Sequence, residues 1–207
     1  MSKYAGEKVL VINRSLFDQL GAFDGHRADD GGYFQTLLKP VNNFFMDRAE
    51  AEEAPAFKQI IPYAVFTDGE KFLAYERGKS GGENRLHAKL SLGIGGHINP
   101  IDAKDDAMGE ETYFAALHRE FHEELNINCE FTIDTLGIVN DDSNDVGKVH
   151  LGMIHLVKLA NQDVSANEDG IANLQFLSLD ELAEEATFSR LESWSQIAVD
   201  LLKTSAQ

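Results

Sequence analysis

The chain contains one cysteine, Cys129, in 207 residues. No disulfide can form within it, and it reads as a protein of a reducing compartment. Positive charge is scarce: 18 Lys and Arg stand against 35 Asp and Glu, a formal net charge of −17. A protein that grips long nucleic acid or an anionic membrane through phosphates needs a basic surface, which this composition supplies only as a local patch. Small phosphorylated ligands remain accessible, because a bound divalent cation inverts the local field. No run of about 18 apolar residues suggests a membrane span. The start, MSKYAGEKVLVINRSLF, has only a short apolar run before Asn13 and Arg14, unlike a secretory signal. These absences point to a cytoplasmic protein. Internal repeats and low-complexity segments are also missing.

Several catalytic patterns are absent as well. There is no G-x-S-x-G for a serine nucleophile. His118 and His122 stand at i and i+4, yet Arg119 occupies the position where a zinc protease has Glu. His97, His150 and His155 share no ligand spacing, which favours core or surface roles over ligation. The acidic stretch Asp141 to Asp145 lacks the EF-hand placement of Gly and Glu and reads as a plain turn.

What is present is a folding composition, 43% hydrophobic with 13 Phe, and one stretch with a specific pattern. In ETYFAALHREFHEELNI, Glu111 to Ile127, residues Phe114, Leu117, Phe121 and Leu125 share a helical stripe that should sit on a core. Glu120, Glu123 and Glu124 lie at i, i+3 and i+4 on another face, with Ala116 one turn earlier leaving room for a ligand. Like charges so spaced cost a bare helix roughly 0.2–0.5 kcal/mol per pair. A hard divalent cation such as Mg²⁺ neutralises them and keeps ligand positions for water and phosphate oxygens. Taken alone, the same residues also fit an ordinary solvated acidic face.

The flanking residues decide between these. Glu111-x7-Arg119-Glu120-Phe121-x-Glu123-Glu124-x-Asn126-Ile127 closely resembles the Nudix box, G-x5-E-x7-R-E-U-x-E-E-x-G-U with U apolar, keeping seven of nine defined positions. Asn126 replaces the last Gly; it is the next-best residue for a left-handed helix end, so the turn should survive. If Gly96 is the first Gly, fourteen residues (97–110) separate it from Glu111 where the family has five. The extra stretch, acidic and containing Pro100, reads as a surface excursion.

The resemblance implies divalent-metal-dependent (Mg²⁺ or Mn²⁺) hydrolysis of a phosphoanhydride in a nucleoside diphosphate linked to another moiety, or in a similar small diphosphate. It implies metal ligation by Glu120, Glu123 and Glu124 with the Gly95 carbonyl, and an Arg119–Glu111 pair that fixes helix and loop. Glu120 is open to a second role, activating water. Glu168, in the loop before a late strand, stands where some relatives carry a further catalytic or metal-binding carboxylate. Arg77 and Arg85 are candidate diphosphate contacts, since guanidinium donors match phosphate geometry, with Gly96 beside them.

The resemblance also implies an α/β fold, an α/β/α sandwich around a mixed sheet, spanning 58–207. Residues 1–57 form an N-terminal extension that covers or flanks this domain and is a candidate dimer surface. Within it the pattern predicts a strand at 8–12, a short helix at 14–20, and a solvated connector at 50–55. Further on it predicts an Asp68-Gly69 hairpin, strands at 87–92, 131–139, 149–159 and 173–177, and helices opening at capping boxes Ser178–Glu181 and Ser189–Glu192. The partner is a small phosphorylated substrate, with membrane and nucleic acid disfavoured. Two rivals share the fold. A non-catalytic Nudix-like binding module commonly loses box carboxylates that are kept here. An isopentenyl-diphosphate-isomerase-like enzyme needs a Cys upstream of the box, whereas Cys129 lies downstream.

Overall fold

A computed structural model describes residues 4–29, 32–78, 89–104 and 108–205. Arg85 and most of the basic loop after Arg77 lie outside the described residues. In chain order the elements are strand β1 (Lys8–Asn13), helix α1 (Arg14–Gln19), β2 (Gly25–Ala28), α2 (Gly32–Leu37), β3 (Asn43–Asp47), α3 (Arg48–Ala51), β4 (Phe57–Thr67) and β5 (Lys71–Arg77). Then come β6 (Leu90–Ser91), β7 (Gly93–Gly95), a 3₁₀ turn at Pro100–Asp102, α4 (Glu110–Glu124), β8 (Leu125–Ile127), β9 (Phe131–Asn140), α5 (Asp145–Lys148) and β10 (His150–Leu159). The last are β11 (Val164–Ala166), β12 (Ile171–Ser178), α6 (Leu179–Ala183), α7 (Glu185–Phe188) and α8 (Ser193–Ser205). The architecture is mixed α/β, with a large mixed sheet as expected. No helix of the described residues is long and apolar enough to cross a membrane.

The chain divides into two compact units. The first holds Met1–Tyr63, Gly95–His118 and Leu136–Met153, and the second Ala64–Ile94, Arg119–Thr135 and Ile154–Gln207. In the first unit β1 pairs antiparallel with β3 (Leu10 opposite Phe45) and with the start of β4 (Val11 opposite Gln59), while β2 pairs with the end of β9 (His26 opposite Val139). A core cluster takes Leu10, Ile12, Phe17, Tyr33, Phe34, Leu37 and Leu38 from the first quarter of the chain and Ile60, Ile98, Tyr113, Ala116, Ile138, Leu151 and Met153 from the rest. The first quarter is therefore built into this core.

Lys58 shows how the unit tolerates a buried cation. Its ammonium, fully enclosed, donates to Asn140 Oδ1 (2.6 Å), Asp142 Oδ1 (2.7 Å), and the carbonyls of Gly147 (2.9 Å) and His150 (3.2 Å). Burial draws its pKa down while Asp142 opposes that shift. Asp142 also accepts from Arg14 (2.7 Å), and Asp141 accepts from Asn144. The acidic turn is thus occupied by the protein's own cations.

In the second unit β5 pairs antiparallel with β12 and with β4. The expected hairpin is present, its turn made by Gly69 at φ +101°, a left-handed conformation that a side chain would strain. Phe121 of α4 packs edge-to-face on Phe66 and on Phe131, with ring centroids 5.7 Å apart in each case. The α4 stripe behaves as the periodicity required, with Leu117, Phe121 and Leu125 buried.

Four expectations need correction. Ala116 is buried in the core rather than leaving a recess beside the carboxylates. Asn126 is not left-handed: it lies in β8, opposite Ser165 of β11. The α4 carbonyls find another partner, Asn167, whose side-chain amide donates to His122 O (3.2 Å) and Glu123 O (3.0 Å) and whose backbone N–H donates to Glu124 O (2.8 Å). The stretch after Gly96 is only partly a surface excursion. Ile98 is buried and its carbonyl accepts from Leu10 N–H (2.9 Å), whereas Ile101 is exposed. Finally, no helix opens at Ser189. Leu191 bridges to Leu90 of β6, and α8 begins at Ser193, because Glu192 turns inward to a buried partner.

Candidate functional site

The end of α4 brings its carboxylates to the second unit. Glu124 is largely buried there, in the field of Arg77, Glu120, Glu168 and Glu192. Burial pushes its pKa up to about 7; Arg77 opposes this, and the three neighbouring carboxylates reinforce it.

Arg119 Nη1 donates to Glu120 Oε1 (2.7 Å) and Glu123 Oε2 (3.3 Å). Glu120 is only 15% exposed and Glu123 52%, so the first is held within the protein and the second reaches solvent. Two partners of Arg119 thus lie on its own helix turn and the next. Glu111 occupies the first turn of α4 in the first unit, where a negative charge complements the helix dipole.

Glu168 follows Asn167, and the three bonds from Asn167 to the end of α4 explain why a loop carboxylate lies in the field of Glu124. Arg77, expected to meet substrate, forms a two-pronged pair with Glu192, Nε to Oε2 at 3.1 Å and Nη2 to Oε1 at 3.3 Å. Ser91 Oγ also donates to Glu192. Sequence reasoning missed Glu192, and the serine three positions before it made it look like part of a helix cap. It also missed Asn167, for which spacing offers no signal.

In the first unit Gly95 sits in β7 with no room for a side chain. A Cβ there would lie 2.3 Å from the Pro62 carbonyl oxygen, so close strand approach, not a left-handed turn, demands the glycine. His97 follows two residues later. Its Nε2 lies 3.3 Å from that of His150, and a Glu52 carboxylate oxygen completes a group within 4.8 Å of one another. Glu52, from the expected solvated connector, is instead part of an organised cluster: α3 precedes it, Ala51 is buried, and Arg48 Nε donates to Glu52 Oε1 (3.3 Å).

The donor set in the second unit suits a hard divalent ion. Glu120, Glu124 and Glu168 offer oxygen ligands that lie in one another's field around the partly buried end of α4. The arrangement can concentrate positive charge on a bound phosphate group while Arg119 and Arg77 hold the surrounding carboxylates apart.

Comparison with known proteins identifies the family and the fold. The family model for the NUDIX domain matches residues 59–196. Protein YmaB of Bacillus subtilis (strain 168) is 45% identical over 163 residues, 76% of this chain and 77% of that protein. The crystal structure of Tm1382 superposes with a TM-score of 0.80 at 30% identity, covering 96% of this chain and all of that one. The NUDIX domain of Shewanella oneidensis NrtR, crystallised with ADP ribose, shares the fold at a TM-score of 0.51 and 14% identity, over 72% of this chain and 89% of its own.

Proposed function

This chain belongs to the Nudix hydrolase family, and from that premise we propose that it cleaves a phosphoanhydride bond in a small diphosphate, such as a nucleoside diphosphate linked to another group. The observation that carries the reading is Glu124, a largely but not fully buried carboxylate gathered with Glu120, Glu168 and Glu192, its pKa pushed up to about 7 by desolvation and by those neighbours. Negative charge held out of water in this way is costly unless a cation joins it. Mg²⁺ or Mn²⁺ is the fitting ion, held by Glu120, Glu123 and Glu124 with Glu168 as a further carboxylate. When bound, the metal supplies Lewis-acid neutralisation of the diphosphate and of the charge that develops on the leaving oxygen.

The chain's own residues do the rest. Arg119 fixes the rotamers of Glu120 and Glu123 through its hydrogen bonds. Asn167 holds the loop that bears Glu168 against the helix end. Glu192 holds Arg77, leaving its guanidinium in the field of Glu124. Glu120 and Glu168 are the two candidates for orienting the attacking water. Gly95, Gly96 and Glu111 belong to the first unit, and Arg85 is not among the described residues, so the second unit's carboxylates bear the weight of the reading. ADP ribose, bound by the NrtR domain, belongs in the first substrate panel, with dinucleotide polyphosphates, nucleoside triphosphates, NADH and nucleotide sugars.

The test is formation of the two phosphorylated cleavage products, separated by chromatography, with Mg²⁺ and with Mn²⁺ across that panel, for wild type and Glu124→Gln. Turnover should appear only with metal and fall at least about a hundredfold in the variant, with the circular dichroism spectrum unchanged. Near-normal turnover in a folded Glu124→Gln refutes the assignment. Metal-independent binding of a panel member without turnover in wild type identifies a binding module instead.

A further inference from the structure

Outside the box carboxylates, Glu52, His97 and His150 converge within the first unit, and we propose that they form a separate transition-metal site, suited to Zn²⁺. The spacing is the first argument. A tetrahedral zinc ion with bonds of about 2.0–2.1 Å holds two nitrogen ligands roughly 3.3–3.4 Å apart. His97 Nε2 and His150 Nε2 are 3.3 Å apart, and a Glu52 carboxylate oxygen lies within 4.8 Å of a ring nitrogen of each histidine.

The second argument is tautomeric. His150 Nδ1 lies 2.7 Å from the Val146 carbonyl oxygen, which can only accept. The ring proton is therefore on Nδ1, and Nε2 presents its lone pair towards His97, the arrangement an outer carbonyl imposes on metal-ligating histidines. Without metal, His97 Nε2–H donates to that lone pair. With metal, the His97 proton moves to Nδ1 and both Nε2 lone pairs face the ion.

Each donor is also held from behind. Lys58 donates to the His150 carbonyl, His97 follows the closely packed Gly95, and Arg48 bonds Glu52 while also gripping Glu7 at 2.9 and 3.1 Å. Two imidazoles and one carboxylate favour zinc over Mg²⁺, which prefers oxygen ligands throughout. Three protein donors leave one tetrahedral position for water. The ion would join three segments far apart in sequence: the end of α3, the residue after the glycine pair, and the first residue of β10.

The experiment uses the full chain, stripped with chelator and dialysed against limiting Zn²⁺ in excess Mg²⁺ so that the oxygen sites are filled. One equivalent of zinc should remain, and unfolding should shift to higher temperature. His97→Gln and His150→Gln should each weaken retention by at least the ten- to hundredfold that loss of an outer-shell partner alone costs. A Co²⁺-loaded chain should show the intense visible bands of a low-coordinate site, absent from both variants. Zinc lost to Mg²⁺, or retained equally by folded variants, overturns the proposal. Should the variants fail to fold, the histidine ¹⁵N resonances of wild type decide it: Nε2 signals of His97 and His150 that stay put on adding Zn²⁺ also overturn it. None of these readouts depends on hydrolysis.

Discussion

At the scale of single residues, two buried groups set opposing responses to pH. Glu124 ionises near 7 in the fold and near 4.5 when unfolded, so between these values the folded chain keeps a proton that the unfolded chain has released. In the metal-free chain the contribution of Glu124 is then fully present below pH 4.5 and is lost, by about 3 kcal/mol, as pH rises through 7. Mg²⁺ should restore stability above pH 7 and much less at pH 5, and Glu124→Gln should abolish both effects in urea titrations. His155 acts in reverse. It is fully buried, with Nδ1 3.3 Å from Thr135 Oγ1, and burial brings its pKa down to about 4 from 6.5. Its stabilising contribution is complete above pH 6.5 and is lost as pH falls through 4, again about 3 kcal/mol. The two windows overlap, so the His155 slope is measured cleanly in the Glu124→Gln background.

At the scale of elements, α4 and the hairpin were legible because periodicity, motif spacing and an Asp-Gly turn each depend on neighbours in sequence. The devices that complete the candidate site depend on distant residues. Asn167 replaces the helix-ending turn that Asn126 was expected to make, and its loop brings Glu168 along. Asn167→Ala should cost about 0.5–1 kcal/mol in chemical denaturation, since the solvent-exposed carbonyls of His122 and Glu123 lose the side-chain donor while the backbone bond to Glu124 remains. Asn167→Asp should cost more, because it sets a carboxylate against those carbonyls. Glu192 followed the pattern of a capping residue, yet Arg77 and Ser91, 115 and 101 positions away, draw it inward. Glu52 reads as part of a connector, and His97 and His150 as core or surface residues, for the same reason: no local pattern links residues on three different segments.

At the scale of the whole molecule, the first quarter of the chain supplies seven of the fourteen buried residues in the first unit's main cluster. A truncated chain beginning at residue 58 should therefore be insoluble or lack a cooperative thermal transition, even though the NUDIX match begins at 59. Lys58 is the other test at this scale, since its four bonds gather β4, β9, α5 and β10 around one ammonium. Lys58→Met should cost about 3 kcal/mol in equilibrium unfolding, because it leaves the buried Asn140 Oδ1 and two carbonyls short of a donor and takes from Asp142 one of its two cations. That shared core also has a temporal side. Leu10, Ile12 and Phe17 leave the ribosome long before Leu151 and Met153, against which they finally settle. At synthesis rates of about 5–20 residues per second, the nascent chain carries that greasy surface unsheltered for on the order of ten seconds, which makes this interval its principal exposure to chaperones and to aggregation.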